Sequence, residues 1–240
     1  MSDTVLAVEN LSRSFGDVSV LEDVTISFES GTFTGIVGPN GAGKTTLLQV
    51  LAGLLEPTTG ERSYQAPESE RQIGYLPQHP AFRPGFTVRE TLEFYTALAE
   101  DDPETLLENV GLADAADRRV EALSGGMTRL LGLAQAMVGD PPVIMLDEPA
   151  SGLDPGMRRR TFEVARDLAD RDTAVLCTSH DLDRVEETCD RVVVLESGEI
   201  AVSGEPAALR SEYGAGDLWT VFETVVEGPA DAVEVLGVSP

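Results

Sequence analysis

The chain has 240 residues, 42% of them hydrophobic, enough to bury one large α/β core or two small ones. Acidic residues outnumber basic ones 42 to 17, a formal net charge of −25, which argues against a nucleic-acid partner or an anionic-lipid surface because phosphate contacts need a basic face. No apolar run reaches the roughly 18 residues of a membrane-spanning helix. The start, Met1-Ser2-Asp3-Thr4-Val5, lacks a basic stretch followed by an apolar core, so the expected location is cytoplasmic. Val5-Leu6-Ala7-Val8 and the stretch from Val18 to Phe28 alternate apolar and polar residues and read as antiparallel strands. Phe33-Thr34-Gly35-Ile36-Val37 reads as a buried strand, and Thr46 to Gly53 as a buried helix with a glycine stop. Residues 56–70, polar and rich in proline, glycine and glutamate, read as a loop or weak hairpin. Gln72 to Pro77 is a short strand ended by proline. From Thr87 to about Val138 the spacing is helical, with one stripe at Leu92, Tyr95, Leu98 and Ala99 and another at Leu130, Leu133, Ala134 and Met137. Strands return at Val143–Leu146, Thr173–Thr178 and Val192–Leu195 with helices between, which predicts an α/β fold with a mainly parallel sheet covered on both faces.

Gly38-Pro39-Asn40-Gly41-Ala42-Gly43-Lys44-Thr45-Thr46 fits G-x-x-x-x-G-K-[ST], the phosphate-binding loop. Lys44 is the only lysine in the chain; every other basic residue is arginine. A composition that has shed lysine elsewhere and kept this one points to a required ammonium. Gly38, Gly41 and Gly43 free the backbone to turn successive N–H groups on an anion, and the helix that follows offers its positive end to the same place. The strand–loop–helix context supports a nucleoside-triphosphate site in which Lys44 reaches the β- and γ-phosphates and the Thr45 hydroxyl ligates Mg²⁺.

Val143-Ile144-Met145-Leu146-Asp147-Glu148-Pro149 is an apolar strand ending in two acids. A carboxylate at a strand's C-terminal end beside the phosphate loop is where Mg²⁺ needs an oxygen. Asp147 is the expected metal ligand, and Glu148 the group that polarises the attacking water.

With these residues in place, the chain resembles the nucleotide-binding subunit of ATP-binding cassette (ABC) transporters over most of its length. Leu123-Ser124-Gly125-Gly126-Met127 looks like the family's signature sequence and opens a helix, so Ser124, Gly125 and Gly126 form a second anion-binding terminus. In the family this terminus binds the γ-phosphate held by the other subunit of a head-to-tail dimer. The resemblance further implies that Phe15 stacks on adenine and that Gln78 contacts Mg²⁺ and the catalytic water. It implies that Asp154, in Ser151-Gly152-Leu153-Asp154, lies on the loop crossing the dimer, and that His180 contacts the γ-phosphate. His79 reads as surface. The implied fold is a phosphate-loop NTPase core with an N-terminal antiparallel β subdomain. An ATPase domain is expected over 1–215, with a helical subdomain inserted at about 86–140, followed by a short C-terminal helix and tail over 216–240.

The implied activity is ATP hydrolysis with Mg²⁺, in a homodimer or heterodimer of ATPase subunits driving a separate integral-membrane permease. The protein would then be peripheral on the inner face of the membrane, its permease seated in a groove of the helical segment near Gln78. Asp217-Leu218-Trp219-Thr220-Val221-Phe222-Glu223 resembles the C-terminal helix of ATPases serving exporter-type permeases; a surface-packing amphipathic helix is the simpler reading. Two positions depart from the family: Met127 stands where glutamine is usual and Leu130 where a basic residue is common. The alternative is a soluble ABC ATPase acting on a non-transport macromolecular partner. Arg158-Arg159-Arg160 reads as a solvated helix face, and Cys177 and Cys189 as free thiols in a strand and a helix. Extreme acidity with one lysine resembles adaptation to molar internal salt, as in halophilic archaea, where dense carboxylates keep a protein soluble and salt screens their repulsion.

Overall fold

The structure, a computed structural model, describes residues 4–66, 69, 71–97, 99 and 101–226. Readings that touch Met1 to Asp3, residues 67, 68 and 70, Leu98 and the tail from 227 to 240 lie outside the described residues. Two sheets organise the chain. The first is antiparallel, in the order β2-β1-β4, from β1 (Thr4–Phe15), β2 (Val18–Glu29) and β4 (Thr59–Tyr64). The second has six strands in the order β5-β6-β7-β3-β8-β9: β5 (Ile73–Leu76), β6 (Val143–Leu146), β7 (Ala174–Thr178), β3 (Phe33–Val37), β8 (Arg191–Glu196) and β9 (Glu199–Gly204). Its first five strands are parallel and only the β8–β9 pair is antiparallel.

The parallel strands are apolar on both faces because each face has its own core. Side chains alternate across a strand, so neighbours are sorted to opposite sides. Ile144 and Leu146, Val175 and Cys177, and Val192 and Val194 enter the core beneath the helices. Val143 and Met145, Ala174 and Leu176, and Val193 and Leu195 enter the core shared with the antiparallel sheet and α1 (Lys44–Leu51). Each fully buried aliphatic side chain contributes about 1.5–3 kcal/mol, so burial on both faces stabilises the sheet.

Helical spacing between β5 and β6 resolves into α2 (Val88–Thr96), α3 (Pro103–Val110), two 3₁₀ turns and α4 (Gly125–Met137). Thr87 and Glu90 form a reciprocal capping box that starts α2, Asp102 caps α3 with Pro103 in its first turn, and Gly111 ends α3 at φ 77°. After β6 come α5 (Pro155–Ala169), α6 (Leu182–Thr188), α7 (Pro206–Tyr213) and α8 (Leu218–Val226).

Four expectations are corrected. Residues 59–64 form a true strand, β4, rather than a loop or weak hairpin. Its residues are almost all exposed, so no apolar alternation marks it, and its hydrogen bonds to β1 alone define it. β9 had no counterpart in the sequence reading; Ser197 and Gly198, at φ 49° and 89°, make the tight turn that folds it back on β8. Cys189 is buried but stands just past the end of α6. The three arginines are not one solvated face: Arg159 faces solvent beside Glu163, Arg158 pairs with Asp181 at 2.9 Å, and Arg160 donates to the Asn109 carbonyl at the end of α3.

Candidate active site

Four neighbouring parallel strands deliver the chemistry to one edge of the sheet, where ligands bind in open α/β sheets. β3 runs into the phosphate loop, β7 into His180, β6 into Asp147 and Glu148, and β5 into Gln78. A cleft of about 380 Å³ opens there, lined by Val20, Asn40, Gly41, Gly43, Lys44, Thr45, Thr46, Gln78, Glu148 and His180. Residues far apart in the chain therefore meet, as the Thr45–Asp147 hydrogen bond across 102 positions shows.

The loop has the backbone that its glycines allow. Gly41 and Gly43 sit at φ 84° and 100° and both line the cleft, and Gly43 heads α1 with no side chain capping the helix start. Lys44 is buried and donates to the Gly38 carbonyl at 2.7 Å and the Pro39 carbonyl at 3.1 Å. Burial lowers its pKa, and the nearby Glu148 and Asp147 carboxylates work against that. Ala42 is buried beneath the loop.

Asp147 is 1% exposed. Its Oδ1 accepts from the Thr45 hydroxyl at 3.0 Å and from the Thr178 hydroxyl at 2.8 Å. Glu148 turns the chain through a positive φ of 48°, uncommon for a residue with a Cβ. Its N–H donates to Thr178 Oγ1 at 2.8 Å, and its carbonyl accepts from the Arg129 guanidinium on α4. Its Oε1 lies 2.9 Å from His180 Nε2 without the alignment of a hydrogen bond, so this buried oxygen has close company but no donor. Burial raises the Glu148 pKa, Asp147 adds to the rise, and Lys44 and Arg129 oppose it. Burial, and then the Lys44 charge, lower the His180 pKa, which favours the neutral imidazole. Tyr75, separated from the strand of the loop by two intervening strands, has its hydroxyl pKa pushed up to about 12, first by burial and then by the Asp147 charge.

The rest of the expected set lies elsewhere. Ser124 caps α4, accepting from the Met127 N–H at 3.2 Å; it and Gly125 are exposed, Gly126 is buried against Met157, and none of the three lines the cleft. Asp154 is exposed and caps α5 through the Gly156 and Met157 amides. Phe15, 46% exposed at the end of β1, carries the Arg13 guanidinium 4.4 Å from its ring centre. His79 is exposed, as expected. Leu130 is buried in the core, so a basic residue there would be out of place in this chain. A second cleft, also about 380 Å³, shares Glu148 and His180 and runs past Ser151, Arg158 and Asp181 to Trp219 on α8.

Sequence reasoning missed Val20, Thr178 and Arg129. Val20 carries no chemical signature. Thr178 is part of an apolar strand by pattern, and only its place two residues before His180 hinted at a site. Arg129 was overshadowed by the absence of a basic residue at 130.

Known proteins resemble this chain in sequence and in fold. The family profile for ABC transporters matches residues 21–151. An uncharacterised ABC transporter ATP-binding protein of Bacillus subtilis, YxlF, is 39% identical, aligned over 87% of this chain and 73% of its own length. The Nod factor export ATP-binding protein I of Burkholderia lata is 39% identical over 85% of this chain and 72% of its own, and the daunorubicin resistance ATP-binding protein DrrA3 of Streptomyces coeruleorubidus is 35% identical over 89% and 72%. Among solved structures, an ATP-binding subunit of an ABC transporter superposes with a TM-score of 0.82 at 27% identity, covering 92% of this chain and 99% of that one. CbiO1 of Clostridium perfringens, part of the transporter complex cbiONQ, gives 0.76 at 27%, covering 88% and 92%. Such a match of sequence and fold has one meaning: this chain belongs to the ABC transporter family, as an ATP-binding, ATP-hydrolysing subunit.

Proposed function

We propose that two ATPase subunits, this chain with a second copy or a close relative, close head to tail on ATP and drive a separate permease. One observation carries the reading: the cleft gathers the phosphate loop, Glu148, Gln78 and His180, with Asp147 buried behind it against Thr45, while the exposed helix start at Ser124 and Gly125 stands outside it. A helix N-terminus attracts anions, so each cleft becomes complete when another subunit supplies that terminus.

In this proposal Phe15 stacks on adenine, and the backbone from Gly38 through Thr46 cradles the triphosphate with the Lys44 ammonium. Thr45, Asp147 and Gln78 fit a magnesium ion. Few protein oxygens beside a phosphate-binding loop suit a cation that keeps its waters and prefers phosphate partners. When bound, the ion would neutralise charge on the phosphate oxygens. Glu148 orients the attacking water and accepts its proton; the γ-phosphorus forms a bond to that oxygen and loses its bond to the β–γ bridging oxygen, giving ADP and phosphate. His180 and the opposing Ser124, Gly125 and Gly126 hold the γ-phosphate, with Asp154 on the loop between subunits.

The ATPase domain is taken as 1–215, with the helical insertion at about 86–140. The names of relatives, a Nod factor exporter subunit and a drug-resistance protein, support an exporter-type transporter. Among the described residues no helix is long and apolar enough to cross a membrane, which fits a subunit held to the inner face by its permease. Phe94 on α2, 67% exposed, supports a docking groove in the helical segment near Gln78.

Glu148→Gln tests the dimer. With ATP this variant should bind nucleotide, turn over at least about 10²-fold more slowly, and elute as a dimer in gel filtration. Adding Ser124→Arg should return it to the monomer. Wild-type turnover in Glu148→Gln would remove Glu148 from its role, and a dimer that survives Ser124→Arg would remove the sandwich.

A further inference from the structure

We propose that Thr178 is a positioning residue for hydrolysis, a single buried hydroxyl that fixes both acids of the site by accepting from the Glu148 N–H and donating to Asp147 Oδ1. The inference rests on the roles proposed above for those two carboxylates.

The geometry is specific. Thr178 is the last residue of β7 and is fully buried. Its Oγ1 lies 2.8 Å from the Glu148 nitrogen and 2.8 Å from Asp147 Oδ1. A hydroxyl has one proton, and a backbone N–H can only donate, so the direction is fixed: the N–H of Glu148 points at the oxygen, and the hydroxyl proton goes to the carboxylate. The second of these bonds is charge-assisted and the stronger of the two.

Glu148 needs holding. Its φ of 48° lies in the left-handed region, which a residue with a Cβ enters only when its surroundings over-determine it. Thr178 secures the N–H side of that residue, while Arg129 and the Ser151 N–H secure its carbonyl. Turning Glu148 out of this conformation would swing its carboxylate away from His180 Nε2, now 2.9 Å distant. Because His180 follows Thr178 by two residues, one strand end holds the backbone of Glu148 and also faces its side chain.

Asp147 gives the second reason. Its Oδ1 is shared between Thr45 and Thr178. Thr45 is the hydroxyl assigned to the metal, so Thr178 is the tether to Oδ1 that does not depend on nucleotide. Apolar patterning does not mark this role, since a threonine in an apolar strand reads as a β-branched filler.

The test compares Thr178→Val, which keeps shape and loses the hydroxyl, with Thr178→Ser, which keeps the hydroxyl and loses a methyl. Thr178→Val should lower kcat about 10- to 100-fold, the scale of a small misplacement of reacting groups, with KM for ATP changed less than about threefold. Thr178→Ser should retain most of the turnover. In nucleotide-free protein, hydrogen exchange at the Glu148 amide should quicken in Thr178→Val and stay protected in Thr178→Ser. Should Thr178→Val not fold, Thr178→Ala is compared with Thr178→Ser by the same measures. Equal kcat in the hydroxyl-free and hydroxyl-bearing variants, or unchanged protection of the Glu148 amide, overturns the proposal. Glu148→Gln measured alongside separates the causes: if it keeps wild-type turnover, the role of Glu148 itself is wrong, whereas an inactive Glu148→Gln beside an active Thr178→Val leaves that role standing and removes Thr178.

Discussion

Gly74→Ala probes how the catalytic edge is held in place. Gly74 lies in β5 with the last turn of α4 across it. A methyl carbon added there would stand 2.0 Å from the Ala136 carbonyl oxygen, 2.9 Å from its carbon and 3.1 Å from Pro141 Cγ. The nearest obstacle is backbone, so no rotamer change relieves the clash. To restore the 3.4 Å of ordinary contact, β5 and α4 must move apart by the difference. Dense cores resist such separation. Overpacking costs about 1–3 kcal/mol, with backbone clashes at the upper end, and about 3 kcal/mol lowers the melting temperature of a domain this size by roughly 6–12 °C.

Activity should fall as well. The Asp147 N–H donates to the Leu76 carbonyl at 2.9 Å, and Gln78 stands two residues past the end of β5, so displacement of the strand disturbs Asp147 behind the cleft and Gln78 in its lining. Melting followed by circular dichroism, with ATP turnover at a temperature where both proteins are folded, reads both effects. Gly216→Ala, where nothing lies within 4 Å, is the control and should melt like the wild type. A Gly74→Ala protein melting within about 2 °C of the wild type would show that α4 does not bear on β5 as described.

Three further outcomes are expected. Lys44→Ala should abolish ATP binding measured by calorimetry, because the ammonium now held by the Gly38 and Pro39 carbonyls is the only lysine charge available to the phosphates; unaltered affinity would exclude that role. Glu148→Gln should melt higher than the wild type near pH 7.5. Burial raises the native pKa of Glu148, so its contribution is favourable in acid and is lost as pH rises through that native value, leaving a penalty the amide lacks. The advantage should shrink toward pH 4.5, and a variant that is less stable at neutral pH contradicts the sign. With a net charge of −25, the protein should melt at higher temperature in molar KCl than in dilute buffer, since salt screens carboxylate repulsion; maximal stability in dilute buffer sinks the adaptation to salt.

Motifs that depend on local backbone were readable in the sequence. The phosphate loop announces itself because only glycine accepts the φ values at Gly41 and Gly43, and because one lysine survives in the chain. The buried strands were visible as continuous apolar runs, which follow from having a core on each face. β4 escaped detection because an exposed polar strand is defined by its partner rather than by its own pattern. The reading of Arg158-Arg159-Arg160 failed for a related reason, since composition cannot tell a solvated arginine from one paired across helices.

Sequence alone thus singled out the residues proposed to carry the chemistry, because phosphate binding and metal ligation constrain residue types over short spans of chain. Tertiary structure alone decided how the carboxylates are held. Thr178 and Arg129 reach Glu148 from β7 and α4, elements 30 and 19 residues away along the chain. Contacts of that kind arise from strand order and helix packing, and strand order is a property of the whole sheet that no local stretch of residues encodes.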